Sequence, residues 1–282
     1  MPAAEALQRN APPAPRSGER RRATYRNYRE VTVGGLKTAC VSRAQLAQLM
    51  VGDCLAARGG KRAPKLVFAS NGHAIAMASS DSAFRRQFEA AALIHADGQP
   101  VVFASKAMTD SPIPERSATT DFIHDAAAAA RDAGLGFFLL GATEAANADC
   151  AERLAKDYPG LAISGWRDGY FARDEEAAIC EAINCSGADV LWVGLGVPLE
   201  YDFCIRNRHR LSAGWIVTAG GCFNFVSGQY RRAPGWMQAA GLEWLYRLWR
   251  EPKRLFWRYA VTNPRALFTI LTHTSSYGRR DT

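Results

Sequence analysis

The 282-residue sequence has no apolar run of the roughly 18 residues that a membrane-crossing helix needs. It also lacks the apolar core of a signal peptide at its start. Residues 1–30 are instead rich in Ala, Pro and Arg, with a run at Arg20-Arg21-Arg22, and read as a disordered basic leader. Paired cysteines are missing too. Cys40, Cys54, Cys150, Cys180, Cys185, Cys204 and Cys222 are scattered, with no Cys-x-x-Cys, which excludes a disulfide framework or a zinc knuckle. They read as small buried hydrophobes in a reducing compartment.

Several nucleotide and hydrolase signatures are absent as well. No Gly-x-x-x-x-Gly-Lys-Ser/Thr loop occurs, which removes P-loop phosphoryl transfer, and no Gly-x-Ser-x-Gly elbow, which argues against an α/β-hydrolase. Gly194-Leu195-Gly196-Val197-Pro198-Leu199 lacks the third glycine of a dinucleotide fingerprint and puts Pro and Leu where its helix should begin. The five histidines have no ligand spacing and there is no Asp-x-Asp pair, so neither a metal nor a cofactor is expected.

The charge that is present sits at the ends. Of the net +8, residues 1–30 hold +4 and residues 229–282 hold +7, leaving 31–228 at −3. A nucleic-acid-binding core would carry its own positive face, so no nucleic-acid partner is expected.

From about Val31, short apolar runs alternate with helical stretches. The expected strands are Lys65–Ala69, Ala92–Ala96, Gly136–Leu140, Leu161–Ile163, Val190–Val193 and Trp215–Thr218. Helices are expected near 74–91, 119–133, 143–157, 174–186 and 200–211. This alternation implies an α/β fold, a Rossmann-like and mostly parallel sheet with helices on both faces. Near-continuous apolar runs such as Val190-Leu191-Trp192-Val193 fit central strands. Each run ends in a loop with glycine, and ligands of open parallel sheets bind beyond the carboxyl ends of the strands. The chain therefore divides into a leader (1–30), an α/β domain (31–228) and a basic helical appendage (229–282).

That appendage holds Trp236, Trp244, Trp249 and Trp257, interleaved with Arg247, Arg250, Lys253, Arg254 and Arg258. Met237, Trp244, Leu245, Leu248 and Trp249 fall near one helical stripe, which Pro252 ends. Trp suits the headgroup boundary and Arg attracts phosphate, so the stripe reads as an interfacial helix on an anionic membrane surface. A helical hairpin packed on the core would show the same stripe, and the two are compatible.

Within the crevice, the carboxylate of Ala96-Asp97-Gly98 follows a strand and reads either as a turn former or as a general base. Glu200 is a second candidate, or the cap of the helix it begins. Arg116 suits a diphosphate or a surface ion pair.

These residues fall in stretches that resemble the WecG/TagA/CpsF family of bacterial glycosyltransferases. The matching stretches are Ala96-Asp97-Gly98, Pro114-Glu115-Arg116, Leu139-Leu140-Gly141-Ala142-Thr143, Asp168-Gly169-Tyr170-Phe171 and Val193-Gly194-Leu195-Gly196-Val197-Pro198. The most specific is the closing run from Arg232-Ala233-Pro234 through Gly241-Leu242-Glu243-Trp244 and Glu251-Pro252-Lys253-Arg254 to Arg258-Tyr259. The resemblance implies inverting, metal-independent transfer of a sugar from a UDP-sugar to a polyprenyl-diphosphate-linked sugar, on the inner face of the plasma membrane. It implies Asp97 as base; beside it, Asn71 and Glu200 are expected to position the sugar, and Gly196, Gly220 and Gly221 to allow close approach. Arg232, Arg247, Arg254 and Arg258 would hold the lipid diphosphate. Three stretches depart from the family pattern: Ala69-Ser70-Asn71, Pro198-Leu199-Glu200-Tyr201 and Phe223-Asn224-Phe225. They leave the donor sugar open between N-acetylmannosamine-type and glucosyl-type, and the oligomeric state is open too, a homo-oligomer included. A non-catalytic binder of the same nucleotide sugar or lipid head group would differ by lacking turnover.

Overall fold

The computed structural model describes residues 28–58 and 63–276. The expected leader thus lies outside the described residues except for Tyr28, Arg29 and Glu30, the last of which opens the first strand. A hairpin of β1 (Glu30–Val33) and β2 (Leu36–Ala39) turns at Gly34-Gly35 and leads into α1 (Arg43–Arg58). Then follow β3 (Lys65–Ser70), α2 (Gly72–Ser80), α3 (Ser82–Glu89), β4 (Leu93–Ala96), α4 (Gln99–Met108), α5 (Thr119–Ala133) and β5 (Gly136–Gly141). The chain continues through α6 (Glu144–Asp157), β6 (Ala162–Arg167), α7 (Glu176–Cys185), β7 (Val190–Gly194), α8 (Leu199–Asn207) and β8 (Trp215–Thr218). It closes with α9 (Cys222–Val226), α10 (Gly235–Ala239), α11 (Glu243–Arg250), α12 (Pro252–Thr272) and β9 (Ser275–Ser276).

All six expected strands form one parallel sheet in the order β4-β3-β8-β7-β5-β6. Each central strand feeds two cores. Leu191 and Val193 of β7 face Ile75, Phe84, Phe88 and Tyr201, whereas Val190 and Trp192 face Met50, Phe122, Phe137 and Leu154. Burying each of these large side chains contributes about 1.5–3 kcal/mol, which is why the strands are apolar throughout. Helices α2, α3, α4, α7, α8 and α12 cover one face, and α1, α5, α6 and α9 the other.

Two expected helices divide. The stretch 74–91 is α2 and α3, split at Asp81, whose carboxylate accepts from the amides of Ala83 (2.8 Å) and Phe84 (3.2 Å) and caps α3. The tryptophan stripe is broken at Gly241, so Met237 sits on α10 and Trp244 to Trp249 on α11. Pro252 ends α11 as expected but also starts α12, where a missing amide costs nothing.

The basic C-terminal segment folds back onto the rest of the protein. Leu255, Tyr259, Ala266 and Ile270 of α12 are buried, and Gly72 of α2 lies against Ala266. Beyond α12, β9 adds an antiparallel strand to β1, pairing Ser276 with Val31. The turn of the hairpin in turn rests on α2, so closely that a β-carbon at Gly34 would stand 2.6 Å from Ile75 Cγ2. No helix of the described residues is long and apolar enough to cross a membrane.

Candidate active site

The loops after β4, β3, β8 and β7 lie side by side, because those strands are consecutive neighbours in the sheet. They bring together Asp97, Asn71, Gly220 with Gly221, and Gly196 with Glu200, the place where open parallel sheets bind ligands.

Asn71 follows β3 and caps α2, accepting from the Ala74 amide at 3.0 Å. Its side-chain nitrogen donates to Asp97 Oδ2 at 2.9 Å. The other oxygen of Asp97 accepts from the Thr119 amide (2.7 Å) and the Thr119 hydroxyl (3.3 Å). The carboxylate thus ties the β4 loop to Asn71 and to the first residue of α5. It is seated at the start of α5, where helix amides favour an anion, and it stays only half-buried in the crevice. The partner Thr119 is not among the sequence candidates, although Thr119-Thr120-Asp121 carries the polar start of a helix.

Glu200 is buried behind the glycine loops. Its Oε2 accepts from the amides of Gly220 (2.9 Å) and Gly196 (3.2 Å). Those two glycines have left-handed backbones, φ +52° and +79°, a conformation other residues adopt only at a cost. A β-carbon at Gly196, Gly220 or Gly221 would meet nothing within 4 Å, so all three border open space. The amides of Gly196 and Gly220, however, are spent on Glu200 rather than offered to a ligand.

The basic residues divide into two groups. Arg116 donates to Glu243 (2.8 Å) and Gln238 (3.1 Å) of the C-terminal segment and lies 3.4 Å from Asp121 on α5. Arg232 binds the same three, donating to Asp121 at 2.8 Å and Gln238 at 2.7 Å and standing 3.4 Å from Glu243. This clasp engages both guanidiniums, so Arg116 and Arg232 join α5 to α10 and α11. Arg254 pairs with Glu251 on the exposed start of α12 at 2.6 Å.

Arg247 and Arg258 differ. Among the described residues neither pairs with a carboxylate, and the Nε of each is buried without a hydrogen bond. Arg247 lies over the Phe225 ring of α9 (5.4 Å) and Arg258 over Tyr259 (5.0 Å). The charge of Arg258 also reaches His73, two residues beyond Asn71. Burial first, and the Arg258 charge second, push the His73 imidazole down to about 4. His73 is therefore neutral at physiological pH, and its buried Nδ1 has no partner among the described residues. Among the described residues, no three His, Cys, Asp or Glu side chains gather as a metal would require.

A broad apolar surface lies on the same C-terminal helices. On α12, Trp257 (74% exposed), Val261, Phe268 (66%) and Leu271 recur at helical spacing, opposite the buried Leu255, Tyr259, Ala266 and Ile270. Trp249 of α11 (74% exposed) and Trp236 of α10 are exposed as well.

Residues 31–280 match the Glycosyl transferase WecG/TagA/CpsF family. The chain is 33% identical over 177 residues to the N-acetylglucosaminyldiphosphoundecaprenol N-acetyl-beta-D-mannosaminyltransferase of Bacillus spizizenii, covering 63% of this chain and 67% of that enzyme. It is 30% identical over 175 residues to the enzyme of the same name from Bacillus subtilis, covering 62% of this chain and 66% of the relative.

Proposed function

The chain belongs to the WecG/TagA/CpsF family of glycosyltransferases, and on that premise we propose that it moves a sugar from a UDP-sugar to a polyprenyl-diphosphate-linked sugar in surface or exopolysaccharide assembly. The observation that carries this reading is the seating of Asp97. A carboxylate held by Asn71 and the α5 amide keeps its orientation while facing the crevice. As the acceptor hydroxyl oxygen attacks the anomeric carbon, Asp97 takes its proton. The bond to the UDP oxygen breaks on the opposite face, and the configuration inverts. UDP leaves with the bonding electron pair, and its growing charge must be met by amide and cationic donors. With no metal in this scheme the cations come from the chain itself, and Arg247 and Arg258, which pair with no carboxylate among the described residues, are assigned to the diphosphate of the lipid-linked acceptor.

The exposed stripe of Trp249, Trp257, Val261 and Phe268 supports docking on the inner face of the plasma membrane, where a lipid-linked acceptor would be presented. The two named relatives transfer N-acetylmannosamine, and Glu200 and Asn224 depart from the pattern of the family, so the donor panel should include glucosyl and N-acetylhexosaminyl nucleotides. The test is release of UDP by the full chain on vesicles bearing a polyprenyl-diphosphate-linked sugar. Turnover that depends on both acceptor and vesicle supports the proposal. Binding of UDP-sugar without turnover under every acceptor would replace it with a non-catalytic binder.

A further inference from the structure

Glu200 is a carboxyl in an unusual setting, 2% exposed and with no cation paired to it among the described residues. The titratable groups that face it are Asp97 beyond β4, and Tyr201 and Cys204 on its own helix. The other charged residues of its own helix are engaged elsewhere. Asp202 takes the side-chain amide of Gln87 on α3, and Arg206 donates to Glu176 on α7 at 3.1 Å. Two amides, from the β7 and β8 loops, converge on a single oxygen of Glu200. Both bonds fall on Oε2, so Oε1 is the oxygen left to carry a proton.

We infer that Glu200 works as an uncharged carboxylic acid, pinning the β7 and β8 loops with its carbonyl oxygen and offering its hydroxyl to the diphosphate of a sugar nucleotide, so that ionising it expels the nucleotide. Burial pushes the carboxyl up to about 8. The amides of Gly220 and Gly196 pull the other way, and the Asp97 charge adds to the rise. A neutral acid has one acceptor and one donor, like a primary amide, and a buried carboxyl kept in that form can act as a hydrogen-bond donor near neutral pH. Once ionised, it would set a second negative charge beside Asp97, in the path of an anionic ligand. The identity of the ligand rests on the proposed UDP-sugar activity, whereas the protonation state of Glu200 does not.

Thermal unfolding of the full chain and of Glu200→Gln, from about pH 5 to about pH 9, tests the protonation state without substrate. The folded value lies above the unfolded one of about 4.3, so the stability this group lends is complete below that pH and is lost as pH rises to about 8. Glutamine does not titrate. The melting temperature of Glu200→Gln should therefore climb relative to wild type across that window, by on the order of 5 °C. A difference that stays constant with pH overturns the inference. Should the variant not fold, carbon-13 titration of the wild-type glutamate carboxyls decides the matter, since one midpoint must lie near 8. For the ligand arm, the affinity of wild type for UDP should fall about tenfold from pH 7 to pH 9. That of Glu200→Gln, whatever its value at pH 7, should change less than about twofold. An equal fall in both proteins overturns the ligand role. If neither binds UDP at any pH, the proposed donor is wrong, and the melting curves still decide the state of Glu200.

Discussion

Arg116, in the loop before α5, donates to Glu243 on α11 at 2.8 Å, and through this contact the sheet domain grips its own C-terminal helices. Asp121, Gln238 and Arg232 complete the clasp. Arg116 and Glu243 are only 11% and 20% exposed at their side chains, so water screens the pair weakly. Glu243→Gln should cost about 1–2 kcal/mol, between the exposed and buried limits for ion pairs. Differential scanning calorimetry would register this as a melting temperature lowered by ~2–6 °C. No change would mean that the helices are held by packing alone.

The same clasp has a defined acid limit. Burial alone would raise the Asp121 carboxyl, but hydrogen bonding to Arg232 and the charges of Arg232, Arg116 and Arg43 together hold it below the usual value. Its contribution is therefore present above the unfolded value of about 3.9 and is lost as pH falls through the lower folded one. Asp121→Asn should melt below wild type at pH 7, and the gap should close in the acid range below about pH 4.

Asp97→Asn removes the proton acceptor and sets two amide nitrogens face to face, since Asn71 already donates to that oxygen. The rate of UDP release with acceptor should fall about 10²- to 10⁴-fold, with circular dichroism unchanged. Near-full turnover in a folded variant would assign the base elsewhere.

Arg258→Gln should raise the pKa of His73 from about 4, because a nearby positive charge is removed while burial remains. Proton NMR of the imidazole resonances against pH measures this directly. In the transfer assay the same variant should raise KM for the lipid acceptor more than it lowers kcat. An unmoved His73 would place the guanidinium away from the crevice.

Flotation with anionic liposomes tests the apolar face. The triple variant Trp249→Ser, Trp257→Ser, Phe268→Ser should lose most of its association, while its melting temperature changes little because all three side chains are exposed. Undiminished flotation would leave the stripe without a membrane role.

The parallel sheet is legible in the sequence because strands buried on both faces are apolar from end to end, as β5 and β7 are. Helix α4 is not, since Gln99–Met108 is short and its Val101-Val102-Phe103 suits strand as well as helix, although Gly98 and Pro100 mark a helix start. Nor is β9, two serines whose identity as a strand comes wholly from β1, more than two hundred residues away. The site divides in the same way. Asp97, Asn71 and the glycines stand just beyond strand ends, which periodicity locates, and Glu200 lies in the first turn of the helix that follows one of those loops. That Arg116 and Arg232 serve each other's neighbours, while Arg247 and Arg258 meet no carboxylate among the described residues, depends on contacts between distant segments. Composition is silent on those.

The strand β9 carries a mechanical consequence. The helix that bears the apolar stripe is fastened beyond its C-terminal end to β1, and the hairpin of β1 bears on Ile75, one turn beyond Asn71. Such an arm is tethered beyond its C-terminal end as well as packed along its buried face. A surface that seats on Trp257 and Phe268 therefore sets the tilt of the whole sheet, and with it the direction in which the crevice opens.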